Sequence, residues 1–338
     1  MGSTEDQLDV SKKRSVEDLT GVGSGLVPVA SERCLEDIEA QPLPGDAARK
    51  RRKAETPDPH PPRISAAFAH DKGSRVDMED VCIILPSTSR NVEMADGDQQ
   101  SRVSFFAVFD GHGGVNVATS ASEELHRHVL AAGLEKSSDA KSRRKAVAEG
   151  FQRTDTALLE RCKQHQWQDG ATCAAVWIDG DSVVVANLGD AKCVLGRMPP
   201  DGGDIKAITL TREHKAIYPQ ERTRIEKSGG FVSKDGRLGG RIEVSRSFGD
   251  PSYKDAGMSA APDIKVFNIT ERDRFLLLGC DGFFGVFNPD EAAAAVMRHI
   301  DDGRAVKNLC ERLINEAVRV RRCTDNCSVL AIIFHHNA

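Results

Sequence analysis

Acidic residues standing at the ends of apolar runs are the groups in this chain that could do chemistry. Val103-Ser104-Phe105-Phe106-Ala107-Val108-Phe109 runs straight into Asp110-Gly111-His112-Gly113-Gly114. Phe275-Leu276-Leu277-Leu278-Gly279-Cys280 runs into Asp281-Gly282. Asp325-Asn326 stands directly before the apolar run opening at Cys327, and Glu79-Asp80 before the one opening at Val81. Short runs rich in Val, Leu, Ile and Phe, closed by glycine, read as strands. An acid at the end of such a strand is held rigidly at the rim of a sheet. Carboxylates gathered there repel one another unless something positive lies between them. A hard divalent cation such as Mg2+ or Mn2+ answers that need, because it takes oxygen from carboxylates, backbone carbonyls and water. Gly111 lacks a Cβ, so its backbone can come close to a ligand. His112 adds a side chain whose ordinary pKa lies near neutrality. Any one Asp-Gly or Asp-Asn pair is equally well a turn; their recurrence at strand ends favours a shared metal centre.

The elements that must position these acids follow from periodicity. Strands are expected over residues 64–68, 81–85, 103–110, 171–178, 182–188, 192–197, 208–210, 264–269, 274–278 and 327–334. The polar stretch 86–102 reads as a hairpin loop. Helical spacing covers 115–132 and 139–163, the latter with Val147, Phe151 and Leu158 in register. Pro219 opens a further helix that Gly229-Gly230 closes, and helices are expected over 290–299 and 304–320. The segment 231–258, rich in Gly, Arg and Ser, reads as irregular and exposed. Strands and helices come in blocks and do not alternate. That order argues for an α+β fold of antiparallel sheets with helices packed outside, against a doubly wound parallel sheet.

The 338-residue chain carries a net charge of -5, which gives no sign of a nucleic-acid coat or a polybasic membrane anchor. No apolar run approaches the ~20 residues that span a bilayer. The 9 cysteines are scattered without a framework, which points to a reducing compartment, cytoplasm or nucleus. Residues 1–62 lack Phe, Trp and Tyr and are punctuated by Pro42, Pro44, Pro57, Pro59, Pro61 and Pro62. Such a segment buries too little apolar surface to offset its chain entropy, so a disordered arm is expected. Within it, Arg49-Lys50-Arg51-Arg52-Lys53 has the composition of a nuclear-import signal or of a solvated basic patch. The domain that follows is expected over 63–338.

Further motifs fall in order along that domain: Arg75-Val76-Asp77-Met78-Glu79-Asp80, Phe109 to Gly114, Gly170-Ala171-Thr172, and Ala186-Asn187-Leu188-Gly189-Asp190-Ala191. They continue with Glu243-Val244-Ser245-Arg246-Ser247-Phe248-Gly249-Asp250, Ala261-Pro262-Asp263, Cys280-Asp281-Gly282 and Thr324-Asp325-Asn326. In this pattern the chain resembles the metal-dependent serine/threonine protein phosphatases of the 2C family. Tyr218-Pro219-Gln220-Glu221-Arg222 and Phe283-Phe284-Gly285-Val286-Phe287 resemble the integrin-linked-kinase-associated branch.

The resemblance implies a four-layer α-β-β-α sandwich with two Mg2+ or Mn2+ ions in the cleft between the sheets. It implies that Asp110 bridges both ions, that the Gly111 carbonyl binds one, and that Asp281 and Asp325 hold the other. Glu79 would act through a bound water and Asp80 would support the ligands from behind. A water activated between the ions would attack phosphoserine or phosphothreonine directly, without a phosphoenzyme. Arg75 would clamp the phosphate with its planar guanidinium, and His112 would protonate the leaving oxygen. Many relatives build a weak third metal site with a further Asp four residues after the counterpart of Asp281. Here that position is Gly285, although Asp190, the other acid of that site, is present. Arg237, Arg241 and Arg246 lie on the segment matching the family's flap, where they could attract phosphopeptides, although for any one of them an ordinary solvated loop is the favoured reading; Arg246 is expected to have a structural partner. The implied partners are phosphoprotein substrates, with no nucleic acid, no membrane and a monomeric state. The alternative is a catalytically weak scaffold or regulator with the same fold, a reading that the retained acids disfavour. A cysteine phosphatase would need Cys followed six positions later by Arg, and a P-loop needs Gly-Lys; neither occurs.

Overall fold

The structure, a computed structural model, describes residues 62–86 and 103–336. The expected arm up to residue 61, its 49–53 basic cluster, and the expected loop from residue 87 to 102 lie outside the described residues.

One sheet has the order β1-β11-β10-β6-β7, from β1 (Arg63–Asp71), β11 (Cys327–His335), β10 (Asp273–Gly279), β6 (Lys192–Arg197) and β7 (Lys206–Thr209). The other runs β2-β3-β4-β5-β9, from β2 (Val81–Leu85), β3 (Ser104–His112), β4 (Gly170–Asp179), β5 (Ser182–Leu188) and β9 (Asp263–Asn268). A short β8 (Phe248–Gly249) pairs with β4. Every strand pairing is antiparallel, as the blocked order of elements requires. α1 (Asn116–Ala131) and α2 (Ala140–His165) pack on the second sheet, and α5 (Pro289–Asp301) and α6 (Val306–Asn315) on the first. This is the α-β-β-α sandwich.

The central strand shows why the sequence folds this way. Phe106 and Val108 point into the apolar layer shared with Leu276, Leu278, Leu330 and Ile332 of the other sheet. Phe105, Ala107 and Phe109 point the other way, onto Val117 and Leu125 of α1 and Phe151 of α2. Period-two alternation with apolar residues on both faces can only be buried on both faces. Each fully buried Phe or Leu contributes roughly 1.5–3 kcal/mol. The helices start where their caps lie. The Asp139 carboxylate accepts the N–H groups of Lys141 and Ser142, and Asn288 accepts that of Glu291; such caps are worth ~1 kcal/mol each.

Three expectations change. β3 does not stop at Asp110: Asp110, Gly111 and His112 pair with Thr172, Ala171 and Gly170, so the acid lies inside the ladder. A short helix, α4 (Asp281–Val286), begins on Asp281 itself; Gly282 and Gly285 mask its helical character in sequence. The segment 231–258 is not simply exposed. Leu238, Val244 and Met258 form a small apolar core with Ala216 and with Ile225 of α3 (Pro219–Lys227). Ser245, Ser247, Phe248 and Asp250 are buried.

Candidate active site

Asp110 sits on β3, held between β2 and β4. Asp281 follows β10 as the first residue of α4, and Asp190 lies in the turn after β5. That turn is pinned by His214, whose Nδ1 accepts the Gly189 N–H at 3.1 Å. Asp80 leads into β2. Carboxylate oxygens of Asp110, Asp190 and Asp281 all lie within 4.8 Å of one another, and so do ligand atoms of Asp80, Asp110 and Cys280. Asp110 belongs to both groups.

Burial and mutual repulsion mark the electrostatics of this cluster. Burial pushes the Asp110 carboxyl well above the ordinary range, and the charges of Asp80, Asp281 and Asp190 add to it. Asp80 and Asp190 are each pushed up to about 6, again chiefly by burial. Asp281 is raised by burial and by Asp325. Asp80 is 4% exposed, and neither of its oxygens makes a well-formed hydrogen bond, although Ser328 and Cys280 lie beside it. Buried carboxylates that raise one another, with orphaned oxygens among them, are a donor set suited to hard divalent cations. The residues present fit the metal centre that the sequence implies.

Asp325 and Arg75 lie beside this cluster but are engaged with each other. Arg75 Nη2 donates to Asp325 Oδ2 at 2.8 Å, with side chains 60% and 40% exposed. Asp325 is in neither group of converging oxygens, yet its charge reaches Asp281 and Asp80. Glu79 also stands outside both groups. Its N–H donates to Asn326 Oδ1 at 2.7 Å. The Asn326 amide group donates in turn to the carbonyls of Lys72 and Asp77 at 3.2 and 3.0 Å. Asn326 thus ties the Arg75–Glu79 loop to the Asp325 loop. Sequence reasoning passed over that role, because the groups that Asn326 joins lie 247 to 254 residues away along the chain.

His112, at the end of β3, donates from Nε2 to Asp250 Oδ2 at 2.8 Å. Burial depresses the imidazole, but the bond to Asp250 and the charges of Asp250, Asp190 and Glu79 outweigh it and raise its pKa. Asp250 had no assigned role in the sequence. Gly285 faces open space where a Cβ would stand, and the Asp190 carboxylate is met by Lys215 Nζ at 3.5 Å. Arg246 is committed to Glu221 at 2.5 Å and Asp263 at 3.2 Å, the structural partnership expected of it. Arg237 pairs with Glu243 at 2.6 Å.

Comparison with known proteins gives one consistent answer. The family model described as Protein phosphatase 2C matches residues 65–327. The chain is 43% identical to "Probable protein phosphatase 2C 8" of Arabidopsis thaliana, over 98% of this chain and 93% of that one. It is 34% identical to the human "Integrin-linked kinase-associated serine/threonine phosphatase 2C", over 81% of this chain and 73% of that one. A crystal structure of a serine-threonine phosphatase 2C from Toxoplasma gondii shares its fold, with a TM-score of 0.69 and 24% identity over 82% of this chain and 98% of that one.

Proposed function

The chain belongs to the protein phosphatase 2C family, and we propose that the acid cluster around Asp110 is its catalytic centre, built for two Mg2+ or Mn2+ ions. The protein is a metal-dependent serine/threonine phosphatase acting on phosphoproteins. What supports this placement is the position of Asp110, whose carboxylate belongs to both groups of converging ligand atoms. In this reading Asp110, the Gly111 carbonyl, Asp281 and Asp325 hold the ions. Glu79 acts through water, Asp80 steadies the ligands, and Asp190 lies close enough to contribute. Bound there, divalent cations supply positive charge to the phosphoryl oxygens and lower the pKa of a water.

The chain's own residues do the rest. Arg75, half free of the surface, swings from Asp325 to grip two phosphoryl oxygens at once. His112, oriented at the cleft end of β3, gives a proton to the seryl or threonyl oxygen as it leaves. A cysteine nucleophile has no support. Burial pushes the Cys280 thiol well up, with Asp80 and Asp110 adding to the effect, so it is protonated at neutral pH.

The protein acts as a monomer in the cytoplasm or nucleus. The described cysteines are all free thiols, in keeping with a reducing compartment, and no helix among the described residues is long and apolar enough to cross a membrane. The deciding experiment is phosphate release from a phosphothreonine peptide by the full chain, with Mn2+, with Mg2+ and with chelator. Metal-dependent turnover, with calorimetry giving two ions per chain, is the expected result. A folded protein that binds phosphopeptide without turnover would support the scaffold reading instead.

A further inference from the structure

His112 has a partner that the metal cluster does not account for. Asp250, which accepts its Nε2–H, has a side chain only 2% exposed. The same Oδ2 accepts the Ser247 hydroxyl at 2.5 Å. The Asp250 backbone has φ +51, an uncommon conformation that Asp and Asn tolerate better than other side chains. It is held there by its N–H, which donates to the Asp169 carbonyl at 3.0 Å. β8 places Gly249 opposite Gly170, and Gly170 lies opposite His112. A Cβ on Gly170 would stand 2.2 Å from Asp250 Oδ2 and 2.6 Å from His112 Nε2. A buried carboxylate, an uncommon backbone conformation and a bare position on the neighbouring strand therefore converge on one ring nitrogen.

The geometry points to Asp250 as a positioning residue that, through Nε2–H, fixes the tautomer and ring plane of His112 and leaves Nδ1 to serve the leaving group. This rests on the reading of His112 as proton donor. In the step, a water oxygen bonds to phosphorus and its proton leaves to phosphate or solvent. The ester P–O bond breaks with its electron pair on the seryl or threonyl oxygen, which takes the proton from Nδ1. Nε2 keeps its proton against Asp250, and solvent restores the one on Nδ1. An imidazole with its far nitrogen held by a carboxylate cannot rotate or exchange tautomers freely, which is the usual effect of such a partner.

A proton donor matters most when the leaving oxygen is a poor one. The test compares kcat on a phosphothreonine peptide and on p-nitrophenyl phosphate, in Mn2+-loaded full chain. The proteins are wild type, His112→Gln, Asp250→Asn and the double variant; Asn suits the backbone at position 250. His112→Gln is expected to lose about 100-fold or more on the peptide and far less on the aryl ester. Asp250→Asn follows the same split with a loss of about 10- to 100-fold on the peptide, with peptide KM little changed. The double variant is no slower than His112→Gln, because the two act as one unit. If His112→Gln shows the split but Asp250→Asn slows both substrates equally, or neither, Asp250 is merely structural and the inference falls while the proton-donor reading stands. If His112→Gln shows no split, both fall. Should Asp250→Asn not fold, Gly170→Ala decides, since its methyl group wedges the pair apart. The same split supports the inference, and an equal loss on both substrates overturns it.

Discussion

His126 gives the sharpest quantitative test of the packing. It lies on α1, 8% exposed, with the Phe105 ring stacked at 5.0 Å and an interplanar angle of 20°. The Trp177 indole N–H donates to its Nδ1 at 3.2 Å. An indole N–H can only donate, so Nδ1 must carry no proton in the folded state. Burial pushes the imidazole down from 6.5 to about 4, with Arg127 adding to the effect and Glu135 opposing it. Between those two values the unfolded chain holds a proton that the native state excludes. Stability from this residue is therefore complete above the unfolded pKa and is lost as pH falls from 6.5 towards 4. The loss comes to about 2 kcal/mol at pH 5 and about 3 kcal/mol below pH 4. For a domain of this size roughly 2 °C of melting temperature goes with each kcal/mol, so about 4 °C is at stake at pH 5. His126→Gln keeps an acceptor for Trp177 and does not titrate. Calorimetric melts of wild type and variant at pH 7 and pH 5, in one fixed metal or chelator condition, cancel the titration of the acid cluster. Wild type should fall about 4 °C further than the variant on going to pH 5. Parallel melting curves would refute the assignment of a neutral, acceptor His126.

Other predictions follow from the site and the sheets. Asp281→Asn should lower turnover by more than about 100-fold, while the metal-free melting temperature does not fall, because one of several repelling charges has gone. Gly111→Ala should cost about 1–3 kcal/mol along with activity, since its Cβ would lie 2.4 Å from the Glu79 carbonyl oxygen; urea denaturation and turnover measure the two losses. Arg197→Ala should cost about 3–5 kcal/mol in urea melts, because it strands the fully buried Asp273 carboxylate that Arg197 Nε contacts at 2.5 Å. Arg75→Lys should raise KM for a phosphothreonine peptide more than it lowers kcat, since an ammonium cannot grip two oxygens in one plane.

Much of the frame was legible in the chain because its signals are local. The edges of β2 fall where the apolar run falls, and β3 is buried on both faces, as its uninterrupted apolar run requires. Asp139 and Asn288 cap helices whose starts could be read from spacing alone. α4 was not legible, because two glycines in six residues outweigh its two phenylalanines. The roles of Asp250 and Asn326 were not legible either. Each acts through partners remote in sequence: His112 is 138 residues from Asp250, and Glu79 is 247 from Asn326.

The sequence by itself determined that acids follow or precede apolar runs, that the strands pair antiparallel, and that the motifs belong to one phosphatase family. Only the tertiary structure decided which carboxylate oxygens converge. Asp110 meets Asp190 and Asp281, while Asp325 turns to Arg75. Periodicity is a property of neighbours along the chain, whereas the approach of Asp281 N–H to Asp110 Oδ2 across 171 residues depends on how two sheets stack and in what register. That stacking is set by the whole apolar layer between them, and no short stretch of sequence contains it.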